Sequence, residues 1–282
     1  MRNILKYSLI IFSFALASSF LISTFAIDLK LKNFNETFIG FALSFFGLGV
    51  VVASFVHNII REKFNLYFTL IFSVIIQFLF TLLIFFYFKI LIILVISFIL
   101  GFTNHINFLT IETHISSKYK INSGFYISLF WSSAGLGAIL GSLIIAINGV
   151  NIISYFIALS LITFQFVPIL FAKSNVMNII IENVKFSLSY KVINNIKFIL
   201  LCVFLLGISD AGWSSLFPSY LIEKGFTDKD VGQINFIAGT LVLIIYPFVG
   251  KLIDKINKIM LLNCFCFLSI SGLCIFWLRL YS

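Results

Sequence analysis

Charge is what this 282-residue chain has least of: Asp, Glu, Lys and Arg make up 10% of it, against 61% hydrophobic residues. That leaves too little polar surface to cover a water-soluble globule of this length, which excludes a soluble domain. Cysteine is equally uninformative as chemistry. Cys202, Cys264, Cys266 and Cys274 all fall within apolar stretches and lack the spacing of a zinc site or a redox dithiol, so they read as packing residues. No loop holds a nucleophile beside a base or a metal-spaced cluster, so neither an enzyme nor a cofactor is expected.

What remains is apolar sequence in runs of about 20 residues, the length a helix needs to cross the hydrocarbon core. Nine such runs occur: 7–27, 38–57, 66–88, 90–112, 125–147, 152–172, 198–222, 231–250 and 259–281. They are uninterrupted, without the alternation of lipid-facing strands, so an all-α polytopic bundle is expected rather than a barrel. Arg2, Lys6 and Ala15-Leu16-Ala17 have the look of a secretory signal, but the apolar run continues to Ile27 and the first helix is expected to stay.

The net charge of +9 suggests nucleic acid only until it is placed on the loops. With the N-terminus in the cytoplasm, thirteen of the nineteen cations face inward. Six face outward: Lys30, Lys32, Lys89, Lys224, Lys229 and Arg279. This is the positive-inside bias, which sets orientation and leaves the lipid bilayer, not nucleic acid, as the partner.

Residues 23–65 recur 192 positions later as 215–257 without a gap, matching Ser23/Ser215, Phe34/Phe226, Gly40/Gly232, Gly47/Gly239, Lys63/Lys255 and Asn65/Asn257. Two related halves are therefore expected. Residues 1–172 would form a six-helix bundle, 173–197 a cytoplasmic linker, and 198–282 a three-helix partial bundle. Each copy carries an outward turn, Phe34-Asn35-Glu36 or Phe226-Thr227-Asp228, read as ordinary helix capping.

At the inward end of the eighth run stands Gly250-Lys251-Leu252-Ile253-Asp254-Lys255-Ile256-Asn257-Lys258, with a degenerate first-half copy at 58–65. This resembles the loop signature of the major facilitator superfamily. Three further stretches are similar to its YcaD-like bacterial branch: Gly101 through Glu112, Asn122-Ser123-Gly124 leading into Gly135, Gly137 and Gly141, and Leu216-Phe217-Pro218-Ser219-Tyr220-Leu221 with Tyr246-Pro247. The resemblance implies secondary transport of a small solute across the bacterial inner membrane by alternating access. It also implies twelve helices, of which the last three are missing. Two readings stand: a transporter, and a shortened non-transporting or binding protein that a partner chain supplying those helices would complete.

Ionisable groups inside a membrane are costly and mark pathways. Gly101, His105, Phe108 and Glu112 share one face of the fourth run, with Asn104 and Asn107 beside it, and Asp210 lies mid-run in the seventh, followed by Trp213. The resemblance implies that both helices line the central cavity. Proton coupling through Asp210, Glu112 and His105 is the sharper expectation, with a water-exposed helix end for Glu112 and a packing role for His105 as alternatives. His57 and His114 are expected near headgroups. The resemblance implies a gating loop of Gly250, Asp254, Lys255 and Lys258, with Asp254 beside Ser123 and Gly124 at the start of the fifth helix, and a related first-half loop of Glu62 and Lys63, where the contact of Glu62 would be with the missing eleventh helix. Gly137 and Gly141, four residues apart, are expected to form a helix-packing seam.

Overall fold

The computed structural model describes residues 2–84, 89–119, 123–176 and 217–253, and every element among them is a helix. In chain order these are α1 (Arg2–Leu31), α2 (Glu36–Lys63), α3 (Leu66–Ile84), α4 (Ile90–Lys118), α5 (Ser123–Asn148), α6 (Ile152–Phe164), α7 (Phe166–Val176), α8 (Phe217–Glu223) and α9 (Asp228–Ile253). Among the described residues, six stretches are long and apolar enough to cross a membrane. Hydrocarbon offers no hydrogen bonds to a backbone, so helices that satisfy their own amides are what such runs must form. The protein is thus an all-helical, multi-pass membrane bundle.

The sixth apolar run is divided between α6 and α7 at Gln165. Pro168 has no amide to give to Phe164 and its ring crowds that carbonyl, so α6 ends at Phe164 and the Gln165 amide turns to tighter bonds with Ile162 and Thr163. Asparagines punctuate the turns. Asn35 accepts the Phe38 amide at 2.8 Å, Asn65 accepts the Phe68 amide at 2.7 Å, and Asn151 forms a capping box with Ser154.

The internal repeat reappears in the backbone. α1 ends at Leu31 and α2 begins at Glu36; 192 positions on, α8 ends at Glu223 and α9 begins at Asp228. Between them the hydrogen bonds correspond one for one: Phe34 amide to Leu29 carbonyl and Phe226 amide to Leu221 carbonyl, both 3.1 Å, then Ile39 to Asn35 and Val231 to Thr227, both 3.1 Å.

α1 is the hub, with 78% of its most apolar window buried, against 22% for α2. α1 packs along α5, α2 along α4, and α9 along α5. Hydrophobic burial cannot draw helices together in lipid, so close backbone approach must do so. Gly49 of α2 sits against the backbone of Phe98 and Phe102, and Gly101 of α4 against that of Phe46, leaving no room for a Cβ at either. Gly137 and Gly141 of α5 stand likewise against α1 at Phe12, Leu16 and Phe20. Helices that alternate in direction give the bundle two ends. One carries Asn33, Gly149 and Gly225; the other carries Asn65 and Lys118.

Candidate functional site

α4 presents a half-exposed stripe of Asn104, His105, Phe108 and Glu112, spaced by three and four residues along one face. Its neighbours differ from end to end. The His105 Nε2 lies 3.0 Å from the Ser54 hydroxyl on α2. Glu112 turns toward α5, where the Trp131 indole is a polar neighbour. Phe108 lies between, stacked on Trp131 at 5.9 Å and edge-on to Phe130 at 6.3 Å. The α4 carboxylate therefore stands beside an aromatic wall that α5 supplies.

Asn107, next to this stripe in sequence, is instead fully buried against α3, where its Oδ1 accepts the Ser73 hydroxyl. Its Nδ2 has no partner among the described residues, nor has Oε1 of the buried Gln77 one turn from Ser73. The α3–α4 interface thus carries its own polar pair inside the bundle.

The histidines depart from expectation. His57 and His114 do not reach headgroups: they are 4% and 2% exposed. Each lies one or two turns inside its helix, and each imidazole finds a hydroxyl from a neighbouring helix. His57 Nε2 is 3.3 Å from the Thr110 hydroxyl, and His114 Nε2 is 2.7 Å from the Tyr7 phenol with the rings edge to face. Lys118 lies over the same Tyr7 ring, 5.8 Å from its centroid. All three histidines of the chain thus join α1, α2 and α4 through hydroxyl contacts, and for His57 and His114 these lie in the bundle interior, where unpaired polar groups are costly.

Among the remaining candidates, Glu62 and Lys63 end α2 and are exposed, and Gly250 lies in the last turn of α9. Asp210, Trp213, Asp254, Lys255 and Lys258 fall outside the described residues. So do the four cysteines, the ninth apolar run and most of the linker. Trp131 and Tyr7 carry no sequence signal beyond their rarity in a Phe-rich chain, since what distinguishes them is the residue they meet on another helix. Among the described residues no group of three His, Cys, Asp or Glu could hold a metal ion.

The second turn also departs from simple capping. Thr227 does cap α9, its hydroxyl accepting the Asp230 amide at 3.2 Å. Asp228 reaches beyond its own helix: Oδ2 accepts the Val150 amide, 2.5 Å away in the α5–α6 turn. In the first copy Glu36 instead pairs with Lys30 at 3.0 Å.

Comparison with curated proteins returns no match. The family model of the Major Facilitator Superfamily matches residues 7–282, which takes in both repeat copies, the α4 stripe and, but for the first residues of α1, the six membrane-crossing stretches among the described residues. On that match, and with a helical bundle of the kind such transporters require, the chain belongs to the major facilitator superfamily of membrane transporters.

Proposed function

We propose that this protein is a secondary active transporter of the YcaD-like branch, moving a small solute across a bacterial inner membrane by alternating access, with proton movement coupled through Glu112, His105 and Asp210. The observation that carries the reading is the α4 stripe: a carboxylate and an imidazole seven residues apart, half-exposed, inside a segment otherwise apolar enough to span a bilayer. A membrane-embedded carboxylate is expensive to keep unless it exchanges a proton or meets a ligand. The bundle end carrying Asn65 and Lys118 faces the cytoplasm in this reading, as the distribution of lysine and arginine favours. The Asn33 end faces outward.

The test is flux in proteoliposomes under an imposed pH gradient, with candidate solutes outside and a pH dye within. Solute movement accompanied by proton movement is expected for the native protein, and Glu112→Gln should abolish the proton component. A mutant that moves solute and protons at native rates would remove Glu112 from the pathway. The orientation is checked by impermeant labelling of single cysteines placed at Asn33 and Asn65.

A further inference from the structure

The Asn33 end carries a contact between the two repeat halves that neither capping nor the α4 site uses. Asp228 opens α9. Its Oδ1 accepts the Lys229 amide at 2.9 Å, an ordinary helix-start bond. Its Oδ2 crosses to the other half and takes the Val150 amide at 2.5 Å. Beside that amide, Gly149 is held at φ +70°, and a Cβ on it would lie 2.6 Å from the same carboxylate oxygen. Both backbone and space therefore demand glycine there. One turn into α9, Gly232 presses on the backbone of Ala146 and Ser142; two turns further, a Cβ on Gly239 would lie 2.7 Å from Ile139. α9 is thus zipped to α5 from the carboxylate inward, and this end is closed between the halves.

The contacts along this seam differ in kind. Glycine seams hold by close packing, which separates without a directional threshold. The Lys30–Glu223 pair, also between halves, is 3.9 Å long with Glu223 half-exposed, and such surface pairs contribute little. A carboxylate accepting a backbone amide is the strong, charge-assisted case, and it sits at the membrane edge, where water can replace it once broken.

We propose that the Asp228–Val150 bond, with Gly149 shaping its seat, is the latch that holds the outward end shut and must release for that end to open. The proposal rests on the alternating-access reading above. Removing the latch should raise the population open to the outside about tenfold or more, the effect of losing a hydrogen bond to a charged group.

The reporter is Ser142→Cys, on α5 two turns below the latch and 7% exposed, in the full-length chain with its four native cysteines changed to serine. Labelling by a membrane-impermeant maleimide, applied from outside to intact cells, reads opening without reading transport. Asp228→Ala is expected to label about tenfold faster than the parent, Asp228→Asn to fall between them because a neutral oxygen still accepts the amide, and Gly149→Ala to accelerate labelling with Asp228 intact. Asp230→Asn, two residues along and bonded only to Thr227 among the described residues, should label as the parent does. A wedge, Gly232→Trp, forces α5 and α9 apart. If the wedge accelerates labelling while the Asp228 and Gly149 variants do not, the end opens but this contact does not hold it, and the latch is refuted. If even the wedge leaves labelling unchanged, the outward end does not open at all, and the alternating-access reading falls together with the latch.

Discussion

Asn33 and Gly225, 192 positions apart, are both left-handed, at φ 62° and 90°. Each follows the last helical turn before a repeat-equivalent bend, and each lets the next amide reach back to Leu29 or Leu221. Glycine adopts this conformation without strain and asparagine does so at lower cost than other side chains. Gly225 has no atom within 4 Å of where a Cβ would stand, so Gly225→Ala should lose only backbone strain, about 1 kcal/mol. Asn33→Gly should be neutral or slightly stabilising. Thermal unfolding in detergent measures both, and a Gly225→Ala protein as stable as the parent would show that this turn is free to relax.

These bends explain how much could be read from sequence. The helical runs, the Asn35 and Thr227 caps and the duplication follow from local chemistry: apolar length, short polar side chains and spacing along the chain. What Asp228 touches does not, because Val150 is 78 residues away and offers only an amide, which every residue but proline has. The same holds for His57 and His114. Their positions near helix ends point to headgroups, but the hydroxyls they meet come from Thr110 and Tyr7 on other helices. Local signals place a side chain on a helix; only packing decides what it meets.

Gly47 and Gly239 are equivalent by repeat yet not by environment. A Cβ at Gly47 meets nothing within 4 Å, whereas one at Gly239 runs into Ile139. Gly47→Leu should therefore fold and melt as the parent does. Gly239→Leu should cost about 1–3 kcal/mol through overpacking against α5. Equal melting temperatures for the two variants would mean that the α5–α9 seam opens readily.

Tyr7 and His114 tie α1 to α4 by a 2.7 Å contact within the buried core. Tyr7→Phe keeps the ring against the imidazole but strips the oxygen, leaving a buried nitrogen unpaired. The expected loss is about 1–3 kcal/mol. His114→Phe removes the other partner, and the double substitution Tyr7→Phe/His114→Phe should recover part of the loss, since no polar atom is then stranded. Additive destabilisation in that cycle would show that the contact contributes nothing of its own.

Asp230 lies just outside the apolar run of α9, and its carboxyl is held below the usual range by the Thr227 hydroxyl first and the Thr227 amide second. A carboxyl lowered on folding contributes stability above its unfolded value, about 3.9, and loses it as pH falls through the lower folded value. Thr227→Val removes the hydroxyl bond, so Asp230 should titrate at higher pH in carboxyl-resolved NMR. An unmoved titration would assign the depression to the helix end itself.

Trp131 is the residue through which α5 acts on the proposed pathway. Its indole lies beside Glu112, and its ring stacks on Phe108. The two contributions separate by substitution. Trp131→Phe keeps an aromatic wall and removes the N–H, which at about 1 kcal/mol should slow proton-coupled flux roughly fivefold. Trp131→Leu removes both and should slow it further. Trp131→Phe in a Glu112→Gln background should add little, because the group the indole positions is already neutralised. If Trp131→Phe alone transports at the native rate while Trp131→Leu does not, the aromatic face matters and the N–H beside Glu112 does not, which would move the role of Trp131 from the proton to the solute.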